Sequence, residues 1–300
     1  VLICNIGITY GDKLMNKVMV VTDSTANIPA QLLSPLPVEV LPLQVIWDHQ
    51  IYRDGIDIQP KAFYERLAVD KVMPTTSQTT PEEFKSAYAA LLEKGYDILS
   101  IHISSKLSGT LDSAVQAKRA FPGAQIELVD SLSTSMAMGF QVLSAARMAS
   151  IGASLAECKA VASEAIKHTG VYFAVNTLEF LHRGGRIGGA AAFLGTMLNL
   201  KPLLELRDGR IEAVERVRTF NKTVDRLLDL VEARLDQENG PIRLSAIHAN
   251  EEHKAQDLLE RAVKRFSKTV VTDAVITSVS PVLGTHTGPG ALGLAFMSGM

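Results

Sequence analysis

ISSKLSGTLDSA, residues 103–114, carries five hydroxyl side chains and a single glycine, Gly109, between the apolar run DILSIHIS (97–104) and the segment DSAVQAKRAF (112–121). The apolar run reads as a strand and the following segment as a helix. A strand that turns into a helix through a short polar loop is the building unit of a parallel α/β sheet. The same pattern recurs on both sides. VMVVTD (18–23) is a short β-branched run followed by DSTANIP (23–29), and QIELVD (125–130) is followed by DSLSTS (130–135). VEVLPLQVIW (38–47) is a further strand signal interrupted by Pro42. Helical spacing covers 61–69, 81–95, 135–150 and 154–168. In the second of these Thr80 is placed as N-cap, Pro81 at the first helical position and Gly95 as the stop.

The pattern changes near Thr169. TGVYFAVN (169–176) reads as a strand, and TLEFLHRGGRIGGAAAFLGTML (177–198) as two short helices around a glycine hinge. PLLELRDGRIEAVERVRT (202–219) is a hairpin turning at Asp208-Gly209, the strongest short-range hairpin signal. Helices over 220–238 and 252–266 then alternate with strands over 241–249 and 270–280. The fold class expected is α/β. A parallel-sheet domain over 15–168, covered by helices on both faces, packs on a mixed α/β domain over 169–300, after an N-terminal extension over 1–14. In such sheets ligands bind beyond the carboxyl ends of the strands, where the Ser/Thr-rich loops gather, and TTSQTT (75–80) joins them just before a helix.

Three hundred residues, 47% of them apolar, suffice for about two cores. The 30 basic and 32 acidic residues leave a net charge of −2, which argues against a chain that grips nucleic acid mainly by charge. Cys4 and Cys158 form neither a CxxC nor a ligand spacing, so a reducing, cytoplasmic setting is expected. The apolar start VLICNIGITY lacks a basic flank and a cleavage site. The most apolar stretch, AAAFLGTMLNLKPLLEL (190–206), is broken by Asn199, Lys201 and Pro202, so no transmembrane segment is expected.

The loops offer chemistry and, beside it, plainer readings. Ser108 and Gly109 at a helix N-terminus suit a carboxylate or phosphate, because the first N–H groups lack partners and Gly109 admits a close approach. Ser108 or Thr110 acting only as an N-cap fits equally well. Thr75, Thr76 and Ser77 form either a cap-and-turn cluster or part of the same cradle. His286 of HTGPG (286–290) is either an exposed loop residue or a ligand contact. Arg183 and Arg186 of HRGGR (182–186) either close a helix C-terminus or serve an anionic group or partner. GGRIGGAA (184–191) lacks the GxGxxG spacing and follows a helix, and no GxSxG, P-loop or HExxH is present, so neither a cofactor nor a metal is expected.

Taken in order, VTDSTANIP, TTSQTTPEEF, ISSKLSGTLDSA, LEFLHRGGRIGGA with LNLKPLLEL, DGRIEAVERVRT and HTGPGALGLAF resemble the DegV family of bacterial fatty-acid-binding proteins, over about 18–296. The resemblance implies a long-chain fatty acid, such as palmitate, held between two α/β domains. It implies that Thr76 and Ser108 hold the carboxylate with His286 approaching it, and that Ser77 and Gly109 belong to the same fatty-acid-binding set. It also implies a carrier that presents the acyl chain to a separate fatty acid kinase catalytic subunit and has no catalytic machinery of its own, with Arg183 and Arg186 near the entrance or partner surface. The sequence departs from the family pattern at Thr79, where proline is common, which should loosen that loop, and at Lys106, where glycine is common. The alternative of another class is a dihydroxyacetone-kinase-like subunit acting on a small ketonic or phosphorylated substrate through His286. The fatty-acid reading is physically consistent: each buried methylene is worth about 0.8 kcal/mol. The carboxylate then needs hydroxyl donors, a helix N-terminus and a protonated histidine to offset its desolvation.

Overall fold

The computed structural model describes residues 17–194, 201–235 and 240–300. The proposed extension over 1–14 lies outside them, as do the ends of the segments expected helical over 177–198 and 220–238. The chain runs β1 (Lys17–Asp23), α1 (Ala30–Leu33), β2 (Val38–Leu41), β3 (Gln44–Trp47), β4 (Gln50–Arg53), α2 (Pro60–Leu67), β5 (Thr75–Ser77) and α3 (Pro81–Glu93). It continues through β6 (Tyr96–His102), α4 (Thr110–Lys118), β7 (Ile126–Asp130), α5 (Ser135–Ser150) and α6 (Leu155–His168). The remainder is β8 (Thr169–Ala174), α7 (Glu179–Arg183), β9 (Lys201–Arg207), β10 (Arg210–Val217), α8 (Phe220–Leu235), β11 (Ile242–His248), α9 (Glu252–Arg265), β12 (Val271–Ser278), α10 (Pro281–Thr287) and β13 (Leu292–Ser298).

β2-β1-β6-β7 form a four-stranded sheet, parallel throughout. β10-β9-β8-β13-β11-β12 form a six-stranded mixed sheet, in which only β11 and β12 pair in parallel. The class is therefore α/β, with a parallel and a mixed sheet. Helices and sheets alternate in layers. α3 and α4 cover one face of the parallel sheet, α5 and α6 fill the space between the two sheets, and α8 and α9 cover the outer face of the mixed sheet. α5, sandwiched between β1 and the β8–β13 pair, is buried along Ser135–Ala146. A helix packed on all sides must be mainly apolar or small-sided all round, as SMAMGFQVLSAA is, with Ser135, Gln141 and Ser144 as its buried polar residues. The largest apolar cluster joins the halves: Trp47, Phe63 and Tyr64 pack with Val171, Leu204 and Val282.

Three features differ from the sequence reading. VEVLPLQVIW is not one strand, because Pro42 divides it between two sheets, β2 in the parallel sheet and β3 in a separate antiparallel sheet ordered β4-β3-β5. TTSQTT is not simply a loop: Thr75–Ser77 is the edge strand β5, paired with β3. HTGPG begins inside a helix, with His286 in the last turn of α10 and Gly288 ending it at φ 71°. Among the described residues, no helix is long and apolar enough to cross a membrane.

Candidate functional site

The pairing of β5 with β3 sets Thr76 opposite Val45. α10 approaches from the other half, anchored twice: Asp54 accepts a hydrogen bond from the Val282 N–H at 3.1 Å, and the Tyr64 hydroxyl donates to the Val279 carbonyl at 3.2 Å. Burial at that anchor pushes the Asp54 carboxyl up to about 6. The two approaches bring Thr76 Oγ1 and His286 Nε2 within 2.8 Å, although they are 210 residues apart. Ser108 arrives on the loop after β6. Its hydroxyl shares a 2.8 Å hydrogen bond with Thr110 and accepts from the Thr110 N–H at 3.3 Å, so it caps the helix as well as facing the cavity. The N-cap position of α4 is Gly109, where a Cβ would collide with the Gln78 amide.

Thr76, Ser77, Gln78, Ser108 and His286 line one cavity between the halves, enclosing about 980 Å³ of space, its mouth included. Its remaining wall is mainly apolar: Leu43, Ile103 and Leu107 from the first half, and Val171, Phe173, Leu206, Ile211 and Ile247 from the second. A mostly apolar concavity with a few convergent polar groups is the signature of a small-molecule site.

Burial, and after it the charge of Arg186, pushes His286 down to about 4, so the ring is neutral at pH 7. Removal from solvent and the neighbouring guanidinium of Arg186 both disfavour the imidazolium. Nδ1 of His286 is buried without a hydrogen-bond partner. Gly184 lies against it, and a Cβ there would overlap that nitrogen.

Of the two arginines, the structure brings only Arg186 to the cavity. Its Nε donates to the Leu107 carbonyl at 3.0 Å and its Nη1 to the Gly184 carbonyl at 2.6 Å, tying the GGR loop to the Ser108 loop. Arg183 is exposed on α7 and pairs with Glu179 at 2.7 Å. Lys106 also turns away, donating to the Asp208 carbonyl at 2.6 Å across the halves. Thr79 does not loosen its loop: its buried hydroxyl donates to the Pro42 carbonyl at 3.0 Å. Sequence reasoning missed Gln78, Gly184 and the pair Thr134–Ser135, which also line or shape the site. For the last pair the hydroxyl-rich DSLSTS loop was the available signal. Among the described residues, no group of three or more His, Cys, Asp or Glu side chains gathers to hold a metal ion.

Comparison with known proteins connects this geometry to a group of relatives. Residues 17–299 match the family model described as "Uncharacterised protein, DegV family". A DegV domain-containing protein of Streptomyces coelicolor is 38% identical over 282 residues, 94% of this chain and 98% of that protein. A solved structure described as fatty acid binding of a DegV family protein from Thermus thermophilus is 38% identical, with a TM-score of 0.87 over 94% of this chain and 99% of that one. The structure of DegV from Bacillus subtilis, described as a fatty acid binding protein, is 34% identical, with a TM-score of 0.84 over 95% of this chain and 100% of that one.

Proposed function

Since the chain belongs to the DegV family, we propose that it binds a long-chain fatty acid such as palmitate in the cavity between its halves. The carboxylate lies against Thr76, Ser108 and His286, and the tail lies along the apolar wall. In this reading residues 15–168 form the domain that supplies the hydroxyl donors, and 169–300 the domain that supplies His286 and the sheet face. The observation that carries the reading is the 2.8 Å pair of Thr76 and His286 at the edge of a mainly apolar cavity that Ser108 also lines. A tail of about fourteen methylenes offers roughly 11 kcal/mol before the costs of association, so affinity resides in the tail. The head group then needs donors rather than a dedicated counter-ion. For Thr76 to donate to the carboxylate, His286 must donate from Nε2 to Thr76 Oγ1, which fixes the tautomer. Arg186 at the rim adds a favourable field.

The function extends to presentation of the bound acid to a fatty acid kinase catalytic subunit, for acyl-phosphate formation in the cytoplasm. Support for a carrier comes from the sequence, which has no P-loop to hold a nucleotide. The buried free thiol of Cys158 suits a reducing compartment. A small ketonic or phosphorylated substrate, the alternative, would leave most of the apolar wall without contact.

Denaturing mass spectrometry of the purified protein after organic extraction tests the reading. Stoichiometric recovery of a fatty acid of roughly fourteen to eighteen carbons is expected. Thr76→Ala and Ser108→Ala should each weaken fatty-acid binding about tenfold with the fold intact. Protein that carries no lipid and binds none in calorimetry overturns the proposal; unchanged affinity in both variants overturns the head-group assignment.

A further inference from the structure

We propose that the cavity contains a second oxygen-recognition point, formed by Ser135 and the N-terminus of α5, and that its ligand is an acyl chain bearing its own oxygen function, a hydroxy or oxo fatty acid. The inference rests on the fatty-acid reading and narrows its substrate class.

Thr134 and Ser135 line the same cavity as Thr76, Ser108 and His286. α5 is 16 residues long and begins inside the protein, with Ser135, Met136 and Ala137 all buried. Its first N–H groups have no partner within the helix. No side chain caps them, and the Thr134 hydroxyl is turned aside, donating to the Thr25 carbonyl at 3.4 Å. α3 and α6 begin with complete capping boxes, from Thr80 and Ser154, whereas α2, α4, α9 and α10, like α5, have no side-chain bond from the N-cap residue; the start of α5 is distinguished by its burial at the cavity. A buried helix start without a cap calls for an acceptor from elsewhere.

Ser135 is the second and independent observation. It is only 6% exposed, and its Oγ has no hydrogen-bond partner. Its backbone stands at φ 52°, in the left-handed region that side chains other than those of glycine, asparagine and aspartate seldom enter. Glycine would occupy that conformation without strain, so the serine contributes a hydroxyl, and no protein atom uses it. Hydroxyl and amide N–H groups converging at the positive end of a helix recognise an acceptor oxygen. The carboxylate is already served by Thr76, Ser108 and His286. A plain hydrocarbon chain has nothing to accept these hydrogen bonds, whereas a hydroxyl or ketone oxygen along the chain does.

Displacement of a fluorescent fatty acid by stearate, and by a positional series of hydroxy- and oxo-stearates, tests the assignment in the wild type, Ser135→Ala and Ser135→Gly. At one position along the chain the oxygenated acid should bind about tenfold more tightly than stearate, and in both variants that gain over stearate should vanish. Glycine suits the left-handed backbone, so Ser135→Gly keeps the test decisive if the alanine variant folds poorly. A flat positional series, as expected if ordered water alone satisfies these donors, overturns the proposal, and so does a gain that survives in both variants. Failure of stearate itself to displace the probe overturns the fatty-acid reading instead, so the two failures are distinguishable.

Discussion

Two histidines contrast a polar cluster closed within the fold with one that lines the cavity proposed to take the ligand. His102, at the end of β6, sits in a chain of wholly buried groups. Its Nδ1 donates to Asp23 at 3.0 Å, its Nε2 meets the Ser100 hydroxyl at 2.6 Å, and Tyr88 donates to Ser100 at 2.7 Å. Asp23 also accepts from the Ile103 N–H at 3.0 Å and the Thr25 N–H at 3.1 Å. The order Asp–His–Ser is that of a hydrolase triad, yet none of the three lines the central cavity, and the serine oxygen is already engaged from both sides. His286 has one partner, Thr76; its Nδ1 has none and is packed against Gly184, and the residue lines the cavity. The same residue types are at work in both clusters. A network whose buried groups are partnered within the protein specifies structure, whereas polar groups left partly unpartnered at a cavity wall have capacity for a ligand.

The sharpest way to break this comparison is to remove the centre of each network. Asp23→Ala leaves the Ile103 and Thr25 amides and the His102 ring without an acceptor in a dry interior, and should destabilise the protein by about 3–5 kcal/mol in chemical denaturation. Thr76→Ala should change stability by no more than about 1 kcal/mol, its effect appearing in fatty-acid affinity. A stable Asp23→Ala protein would mean that the buried chain is not structural. Gly184 gives a second lever. Its backbone is helical at φ −73°, so alanine meets no backbone strain and acts only by displacing His286. Gly184→Ala should lower fatty-acid affinity about tenfold. Gly185→Ala, at φ 71° with open space around it, should instead lower stability by about 1 kcal/mol and leave affinity alone. Equal affinity losses in the two variants would show that the GGR loop acts by general distortion rather than through His286.

The strand–helix alternation of both halves was legible because hydrophobic runs and caps are local signals; Thr80 as N-cap and the Asp208-Gly209 turn appear as expected. The small sheet was not legible. Its hairpin turns on Asp48-His49, both at positive φ (50° and 61°), without the glycine that usually marks such a turn. α10 was hidden for a tertiary reason: Gly284, which reads as a loop residue, lets Tyr64 and Phe63 pack against the helix, where a Cβ would collide with both. Thr76, Ser108 and His286 were found through motif resemblance, since no spacing rule links residues 210 apart. The neutrality of His286 and the strain at Ser135 depend on burial and backbone angle, which the one-dimensional sequence does not carry.

A change in pH dependence tests the carboxylate's position most directly. An unfolded histidine titrates near 6.5, and in the empty site His286 is held down to about 4 by burial and then by Arg186. Its contribution to stability is therefore complete above pH 6.5 and is lost as pH falls towards 4, because the unfolded chain binds the proton first. Asp54 acts in the opposite sense: its carboxyl is raised to about 6, so its contribution is complete below the ordinary carboxylate range and fades as pH rises through 6. The raw stability profile mixes the two, and the difference between wild type and His286→Gln isolates the histidine. That difference should shrink by about 1 kcal/mol between pH 8 and pH 5.5 in lipid-free protein. With a fatty acid bound, the carboxylate beside the ring favours the imidazolium and raises its pKa, so most of the pH dependence of the difference should vanish. If it is the same in loaded and empty protein, the negative end of the lipid does not lie against His286, and the head group must be sought at another donor cluster of the cavity, of which the start of α5 is the next.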